Sequence, residues 1–218
     1  MIKVKICGIK NLKDALNAVD AGADAIGLLI GQRHTSNDFI DIKEGREIVS
    51  SLPPFISSVL VTHIKSPEEV ISMAKDLGCN HIQIHSEMTP EGCEKVKKEL
   101  KYIKTIKAYH VVDESSLFYG DPYLDKVDAF LLDTANAATG QVGGTGMTHD
   151  WDISLKIMDK YKKIPFFIAG GLNPENVGKA VEKLNPYAVD ANSGTKGSDG
   201  FKDEEKLKQF IKMAKRGN

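Results

Sequence analysis

An α/β chain whose eight parallel strands close into a (β/α)8 barrel is what this sequence predicts. Three observations lead there. Short apolar runs alternate with longer amphipathic stretches from end to end, the pattern of strands joined by crossover helices. Eight such repeats fit within 218 residues, the size of one closed barrel. The first strand runs into Cys7-Gly8-Ile9-Lys10-Asn11. It lacks the G-x-G-x-x-G turn of a dinucleotide fold, which leaves an open doubly wound sheet as the second choice.

The strands are expected at residues 2–7, 25–30, 55–61, 81–85, 103–108, 129–132, 165–169 and 188–190. Period-two alternation in the first puts Lys5 and Cys7 on one face, with Lys5 the deeper if Cys7 faces the barrel mouth. Asn11 is the cap of the first helix; Leu12, Ala15, Leu16 and Val19 form its buried stripe, and Gly22 ends it. Ser66-Pro67-Glu68-Glu69 is a helix start, with Ser66 as cap and Pro67 in the first turn. Val70, Ile71 and Ala74 continue that apolar face, and Gly78 closes it. Asn173-Pro174-Glu175 opens another helix, which turns Val177, Ala180, Val181 and Leu184 inward. A last helix spans about 203–214. The pattern is weakest after Val111, where residues 115–118 read as one helical turn or as loop. No linker or composition break interrupts the chain, so 1–218 reads as a single domain.

Composition narrows the function. Lys+Arg 29 against Asp+Glu 30 leaves a formal net charge of −1. That excludes a basic nucleic-acid binder held by counterion release. At 41% apolar residues the chain can fill a core, which excludes an acidic disordered tail. The longest apolar runs, such as 25–30 and 129–132, are too short for a bilayer, and strand-like alternation from Met1 onward argues against a signal peptide. Cys7, Cys79 and Cys93 are an odd set with no close pair. Neither a disulfide framework nor a C-x-x-C metal site is expected, and a reducing cytoplasm is the expected compartment. The six His show no H-E-x-x-H or H-x-H spacing, so no metal is expected. Lys95, Lys97, Lys98 and Lys101 lack interleaved aromatics and read as an exposed helix face.

In a barrel, chemistry sits where the strands end and the following loops begin. Cys7 ends the first strand: a base or nucleophile as thiolate, a small core residue otherwise. Asp133 ends the sixth, after Phe130-Leu131-Leu132, placed for acid–base work or for capping its own loop. Strands one and six face each other across a barrel. An acid and a base of different pKa on two faces of one ligand are what a proton-transfer isomerisation needs. Gly170-Gly171 ends the seventh strand and Ser193-Gly194 follows the eighth, where such barrels hold phosphate on backbone N–H groups. Gly143-Gly144-Thr145-Gly146 permits close backbone approach to a ligand, or forms a flexible turn. His85 ends the fourth strand, where it orients a substrate or sits satisfied at the rim. Arg33 and His34 follow the second strand, where a cation can meet a carboxylate.

These residues resemble the phosphoribosylanthranilate isomerase family. The resemblance lies in Lys3-Val4-Lys5-Ile6-Cys7-Gly8-Ile9 with Asn11-Leu12, Gln83-Ile84-His85, Leu131-Leu132-Asp133-Thr134, and Gly143-Gly144-Thr145-Gly146 with Asp150-Trp151. It continues in Gly170-Gly171-Leu172-Asn173-Pro174-Glu175-Asn176-Val177 and in Val189-Asp190 with Ser193-Gly194. These motifs run in order over nearly the whole chain. The resemblance implies an Amadori rearrangement of N-(5-phosphoribosyl)anthranilate, without cofactor or metal, in tryptophan biosynthesis. It implies Cys7 as general base at C2 of the ribose and Asp133 as general acid at the ring oxygen. It also implies Gly170, Gly171, Ser193 and Gly194 at the phosphate, and Asp190 near the sugar. The chain departs from the family pattern at Asp38, where a Ser-x-Arg pattern commonly supplies an Arg to the anthranilate carboxylate. Asp38 would repel that carboxylate, and Arg33 is the cation that could replace the lost one. Met147-Thr148-His149 and the polar insertion 135–142 are further departures.

Three other functions fit the residues. One is a paralogous isomerase of another phosphorylated sugar or aminosugar. Another is a Schiff-base aldolase or lyase using Lys5 or Lys107 near the barrel interior. The third is a non-catalytic sugar-phosphate binding barrel. The partner expected in the isomerase reading is a small phosphosugar, with no nucleic acid or membrane, for a chain acting as monomer or homodimer.

Overall fold

A computed structural model describes residues 1–31, 37–136, 141–142 and 150–216, with the backbone alone at 135–136 and 141–142. The strands are β1 (Lys3–Cys7), β2 (Ala25–Leu29), β3 (Ser57–Thr62), β4 (His81–Ile84), β5 (Lys104–Val111), β6 (Ala129–Asn136), β7 (Gln141–Val142), β8 (Phe166–Ile168) and β9 (Ala188–Ala191). All except β7 run parallel, in the order β5-β4-β3-β2-β1-β9-β8-β6, and pairing of β5 with β6 closes the ring. The predicted eight-stranded parallel barrel is therefore the fold.

Side chains on each strand divide into two shells. Val4, Ile6, Ile26, Leu28, Leu60, Ile82, Phe130 and Leu132 point outward into one cluster with the helices. Cys7, Leu29, Val59, Val61, Ile106, Ala129, Leu131 and Ala169 fill a smaller cluster with no helix contribution, which is the lumen. Lys5 and Cys7 share the lumen as the alternation of β1 predicts.

The helices are α1 (Leu12–Asp20), α2 (Ile42–Ser50), α3 (Pro67–Leu77), α4 (Pro90–Glu99), α5 (Trp151–Lys160), α6 (Val177–Leu184) and α7 (Glu204–Arg216). The side chains of Asn11, Asp41, Ser66 and Thr89 each accept a backbone N–H of the first turn that follows, as N-caps do. Val177, Ala180, Val181 and Leu184 are the buried face of α6, as expected. In α1 the face is rotated from the expected stripe: Ala15 and Ala18 are buried while Leu12 and Leu16 are exposed. That helix lies against α7 with its smaller residues inward.

Strand boundaries differ from the sequence expectation, and the segment after Val111 takes the helical turn that is one of its two readings. The strand expected from 55 starts at Ser57, because Phe55 has a left-handed backbone (φ 69°) and is fully exposed. No α-helix joins β5 to β6; two 3₁₀ segments, Glu114–Phe118 and Asp121–Lys126, stand there instead. Asp113 and Ser116 hydrogen-bond nearby backbone N–H groups in that segment, and Gly120 and Pro122 interrupt it, so local bonds replace the helical ladder. Finally, β6 does not stop at Leu132. It continues to Asn136, and Ala135 and Asn136 pair antiparallel with Val142 and Gln141. The polar insertion is thus framed by a short two-stranded ladder.

Candidate active site

The site is built at the carboxyl ends of the strands. Lys5 and Asp190 sit side by side on β1 and β9 in parallel register, and Lys5 Nζ donates to Asp190 Oδ2 at 2.7 Å. Both are buried. Burial opposes the charge on Lys5, but Asp190 and Cys7 outweigh it and hold the ammonium above its ordinary pKa. The other oxygen, Asp190 Oδ1, is buried without a partner.

Cys7 lies one pleat above Lys5. Burial pushes its thiol up, and Lys5 pulls part of the way back. Asp133 lies within β6 rather than at its end. Its Oδ1 accepts the backbone N–H of Thr134 at 2.7 Å, while Oδ2 faces His85 Nε2 at 3.6 Å. Burial pushes this carboxyl up to about 7, against the Thr134 N–H and Lys5, which favour its charge. The Lys5–Asp190 pair acts on both groups alike: Lys5 favours the anion at Cys7 and at Asp133, and Asp190 opposes both.

His85 immediately follows β4 and is buried. Gln83 Nε2 lies 3.1 Å from its Nδ1. Burial, with His110, His63, Lys107 and Lys5 adding repulsion, holds the imidazole well below its usual pKa, so it is neutral at pH 7.

The two expected anion loops meet. Gly170 adopts φ +80°, and a Cβ there would lie 2.6 Å from Thr134 N and 2.9 Å from Asp133 Oδ1. Glycine at 170 therefore both allows the turn and leaves room for the carboxyl. A Cβ on Gly194 would strike Leu172 O and come within 2.9 Å of Asn173 Cα, so this backbone packs directly on the neighbouring loop. Asn176 Nδ2 donates to Gly171 O at 3.0 Å and shapes the turn from below. Ser193 begins a 3₁₀ turn over Ser193–Thr195. Arg33, His34 and Gly144 lie outside the described residues.

Several sequence readings change. Asp38 is not a charge aimed at a ligand. It is buried, accepts from Asn192 Nδ2 at 2.9 Å and pairs with Lys196, and Lys196 and Asn192 hold its carboxyl below the usual range despite burial. Its repulsion of an incoming carboxylate is answered within the fold. Lys107 faces away from the lumen, toward the rings of Tyr119 and Tyr123, so it cannot be the interior Schiff-base lysine. Lys202 stands in a polar Gly- and Lys-rich loop with no motif to single it out. It is buried and donates to Asn192 O at 2.9 Å, and its pKa is lowered to about 8 by burial. The spacing of the histidines shows no metal motif, yet the barrel gathers His85, His110 and Asp133 into one cluster.

Fold and site define a class: a (β/α)8 barrel with buried titratable groups gathered at its C-terminal mouth. The family model described as N-(5'-phosphoribosyl)anthranilate (PRA) isomerase matches residues 4–213, and the chain belongs to that family. N-(5'-phosphoribosyl)anthranilate isomerase 2 of Methanosarcina mazei is 45% identical over 214 residues, covering 98% of this chain and 94% of the relative. The crystal structure of the isomerase from Thermotoga maritima superimposes with TM-score 0.87 at 38% identity, covering 99% of this chain and 100% of that one. A phosphoribosyl anthranilate isomerase solved with reduced 1-(o-carboxyphenylamino)-1-deoxyribulose 5-phosphate matches with TM-score 0.84 at 36% identity, over 99% of this chain and 100% of that one.

Proposed function

We propose that this protein isomerises N-(5-phosphoribosyl)anthranilate to 1-(2-carboxyphenylamino)-1-deoxyribulose 5-phosphate, an aldose–ketose step of tryptophan biosynthesis. The observation that carries the reading is Asp133: a buried carboxyl held near neutral pKa in a lumen that also contains Cys7. Asp133 gives its proton to the furanose oxygen as the C1–O bond breaks, leaving a C1=N Schiff base. Cys7, as thiolate, removes the C2 proton, and the electron pair forms the C1=C2 bond of an enolamine. Ketonisation at C2 completes the rearrangement. No net oxidation occurs, and no cofactor enters the reading.

The remaining assignments follow the same geometry. Asp190 Oδ1, buried and unpartnered, offers an acceptor to a sugar hydroxyl. His85 orients the ring-opening end beside Asp133. Gly170, Gly171, Ser193 and Gly194 supply the phosphate loops. Arg33 meets the anthranilate carboxylate, and Gly144 belongs to the loop that covers the ligand. The chain acts as a single cytoplasmic domain on a small phosphosugar, with no nucleic-acid or membrane partner. Among the described residues no helix is long and apolar enough to cross a membrane. One structural relative is a monomerised form of a dimeric isomerase, in keeping with a monomer or homodimer here.

The test is a fluorescence assay with freshly prepared N-(5-phosphoribosyl)anthranilate, wild type beside Asp133→Asn. Turnover by the wild type that the variant loses supports the reading. A wild type without turnover, or a variant of near-normal rate, overturns it.

A further inference from the structure

Imidazoles and a carboxylate crowd one quadrant of the C-terminal mouth. His63 follows β3, His85 follows β4, His110 lies on β5 and Asp133 on β6. The His85 ring stands 4.8 Å from that of His63 and 5.1 Å from that of His110, centroid to centroid. His110 and Asp133 are direct partners across the β5–β6 ladder. One ligand atom from each of His85, His110 and Asp133 lies within 4.8 Å of the others.

Three orphaned atoms give this cluster a direction. Neither nitrogen of His110 has a hydrogen-bond partner, and both are buried. Buried polar atoms are normally paired, so an imidazole with both nitrogens idle is conspicuous. The third is Gln83 Oε1, also buried and unpartnered, while Gln83 Nε2 faces His85 Nδ1 at 3.1 Å. Exchanging the amide oxygen and nitrogen reverses that contact. Gln83 Oε1 then accepts from His85 Nδ1–H, and His85 Nε2 presents its lone pair on the side of Asp133 Oδ2. A ligating histidine is normally held in this way, by an acceptor on its other nitrogen. Asp133 Oδ1 is already occupied by Thr134 N–H, which leaves Oδ2 as the donor.

We propose that His85, His110 and Asp133 form a binding site for a divalent transition-metal ion of the zinc type. Two imidazole nitrogens and one carboxylate oxygen suit zinc, cobalt or nickel, whereas magnesium and calcium require an all-oxygen shell. Three protein ligands leave a further position for water at the open mouth. The ion occupies Asp133 Oδ2, so the carboxyl has no proton to give while the metal is bound. On the reading of Asp133 as the general acid, it is therefore a reversible inhibitor of the isomerase.

The experiment is titration of the purified full chain with Co²⁺, followed by visible absorption, with displacement by Zn²⁺ and removal by EDTA. One Co²⁺ per chain is expected, without a thiolate-to-metal charge-transfer band, and with the same spectrum in Cys7→Ser. His110→Asn should weaken binding at least ~10-fold while keeping metal-free turnover and the wild-type unfolding temperature. Gln83→Met, which removes the acceptor behind His85, should weaken it as well. Zn²⁺ should abolish turnover over the range in which it displaces Co²⁺. No spectrum with metal in excess overturns the site, as does unchanged affinity in His110→Asn. Stoichiometric binding that leaves turnover intact keeps the site and overturns the role of Asp133.

Discussion

Two aspartates flank the apolar run of β6, and the barrel treats them oppositely. Asp128 lies just before the strand, at the N-terminal mouth, and Asp133 lies within it near the C-terminal mouth. Both pay a desolvation penalty. At Asp128 the backbone N–H and hydroxyl of Thr105 and the ammoniums of Lys97 and Lys104 override it, and the carboxyl is held below its ordinary range. At Asp133 the Thr134 N–H and the charge of Lys5 oppose burial, and burial wins. Asp24, also at the N-terminal mouth, repeats the Asp128 pattern with Val4 N–H, Lys3 and Lys215. One end of the barrel gives its carboxylates the partners that stabilise a fold. At the other end Asp38 and Asp190 keep lysine partners, and Asp133 among them is pushed up by burial.

The largest effect that sharpens this contrast is on rate. Asp133→Asn should lower turnover by about 10²–10⁴-fold, as expected for loss of a general acid. It should also stabilise the protein at pH 8. A carboxyl at about 7 when folded and near 3.8 when unfolded binds protons preferentially in the folded state. Stability is therefore lost as pH rises through that window, by up to about 4 kcal/mol. Asn removes that loss, and thermal unfolding at pH 5 and pH 8 measures it. A variant that is both slow and less stable at pH 8 would break the comparison.

Next comes Lys5→Met, which leaves Asp190 buried without its counter-charge. Removing one partner of a buried pair costs about 3–5 kcal/mol, readable by chemical denaturation. Asp128→Asn belongs to the opposite end, and its signs are opposite. It should lose roughly 1–3 kcal/mol of stability at pH 7, the scale of hydrogen bonds to a charged group, with turnover unchanged. The loss should shrink as pH falls, because the depressed carboxylate stabilises only while it is ionised.

The pH profile sharpens the site itself. The acid must be protonated and the base ionised, so kcat/KM should be bell-shaped, with one limb near 7 and the other above the ordinary thiol value. Because the acid is the stronger of the two, the working protonation state is a minority form, and the limbs belong to the coupled pair. A profile flat from pH 6 to pH 10 would remove Asp133 and Cys7 from these roles. The smallest effect separates two glycines. Gly170→Ala crowds Asp133 Oδ1 and should cost about 1–3 kcal/mol together with activity. Gly78→Ala, also at positive φ but with open space at its Cβ, should cost about 1 kcal/mol and no activity.

Much of the barrel was legible in the residues because its rules are local. Alternation placed Lys5 and Cys7 together, Ser66 and Asn11 announced helix starts, and four apolar positions predicted the buried face of α6. Cys7, Asp133, Gly170-Gly171 and Ser193-Gly194 stood out as candidates because they lie at or beside the carboxyl ends of strands, which a barrel gathers at one mouth. The departures were also local in cause. The segment after Val111, open between one helical turn and loop, became a 3₁₀ turn held by short-range side-chain bonds. Phe55 left its strand through a single left-handed residue.

What the sequence by itself determined was the repeat, its closure and the two mouths, because period and length are carried by neighbouring residues. Only the tertiary structure decided the charges. Asp38 looked like an obstacle until Lys196 and Asn192, more than 150 positions away, were seen to hold it. Asp128 and Asp133 are the same residue type five positions apart, and nothing local distinguishes an anchored carboxylate from a neutral-range acid. His85, His110 and Asp133 come from three strands whose order around the ring makes them neighbours. Electrostatics depends on distance through space and on exclusion of water, and both are set only when the barrel closes.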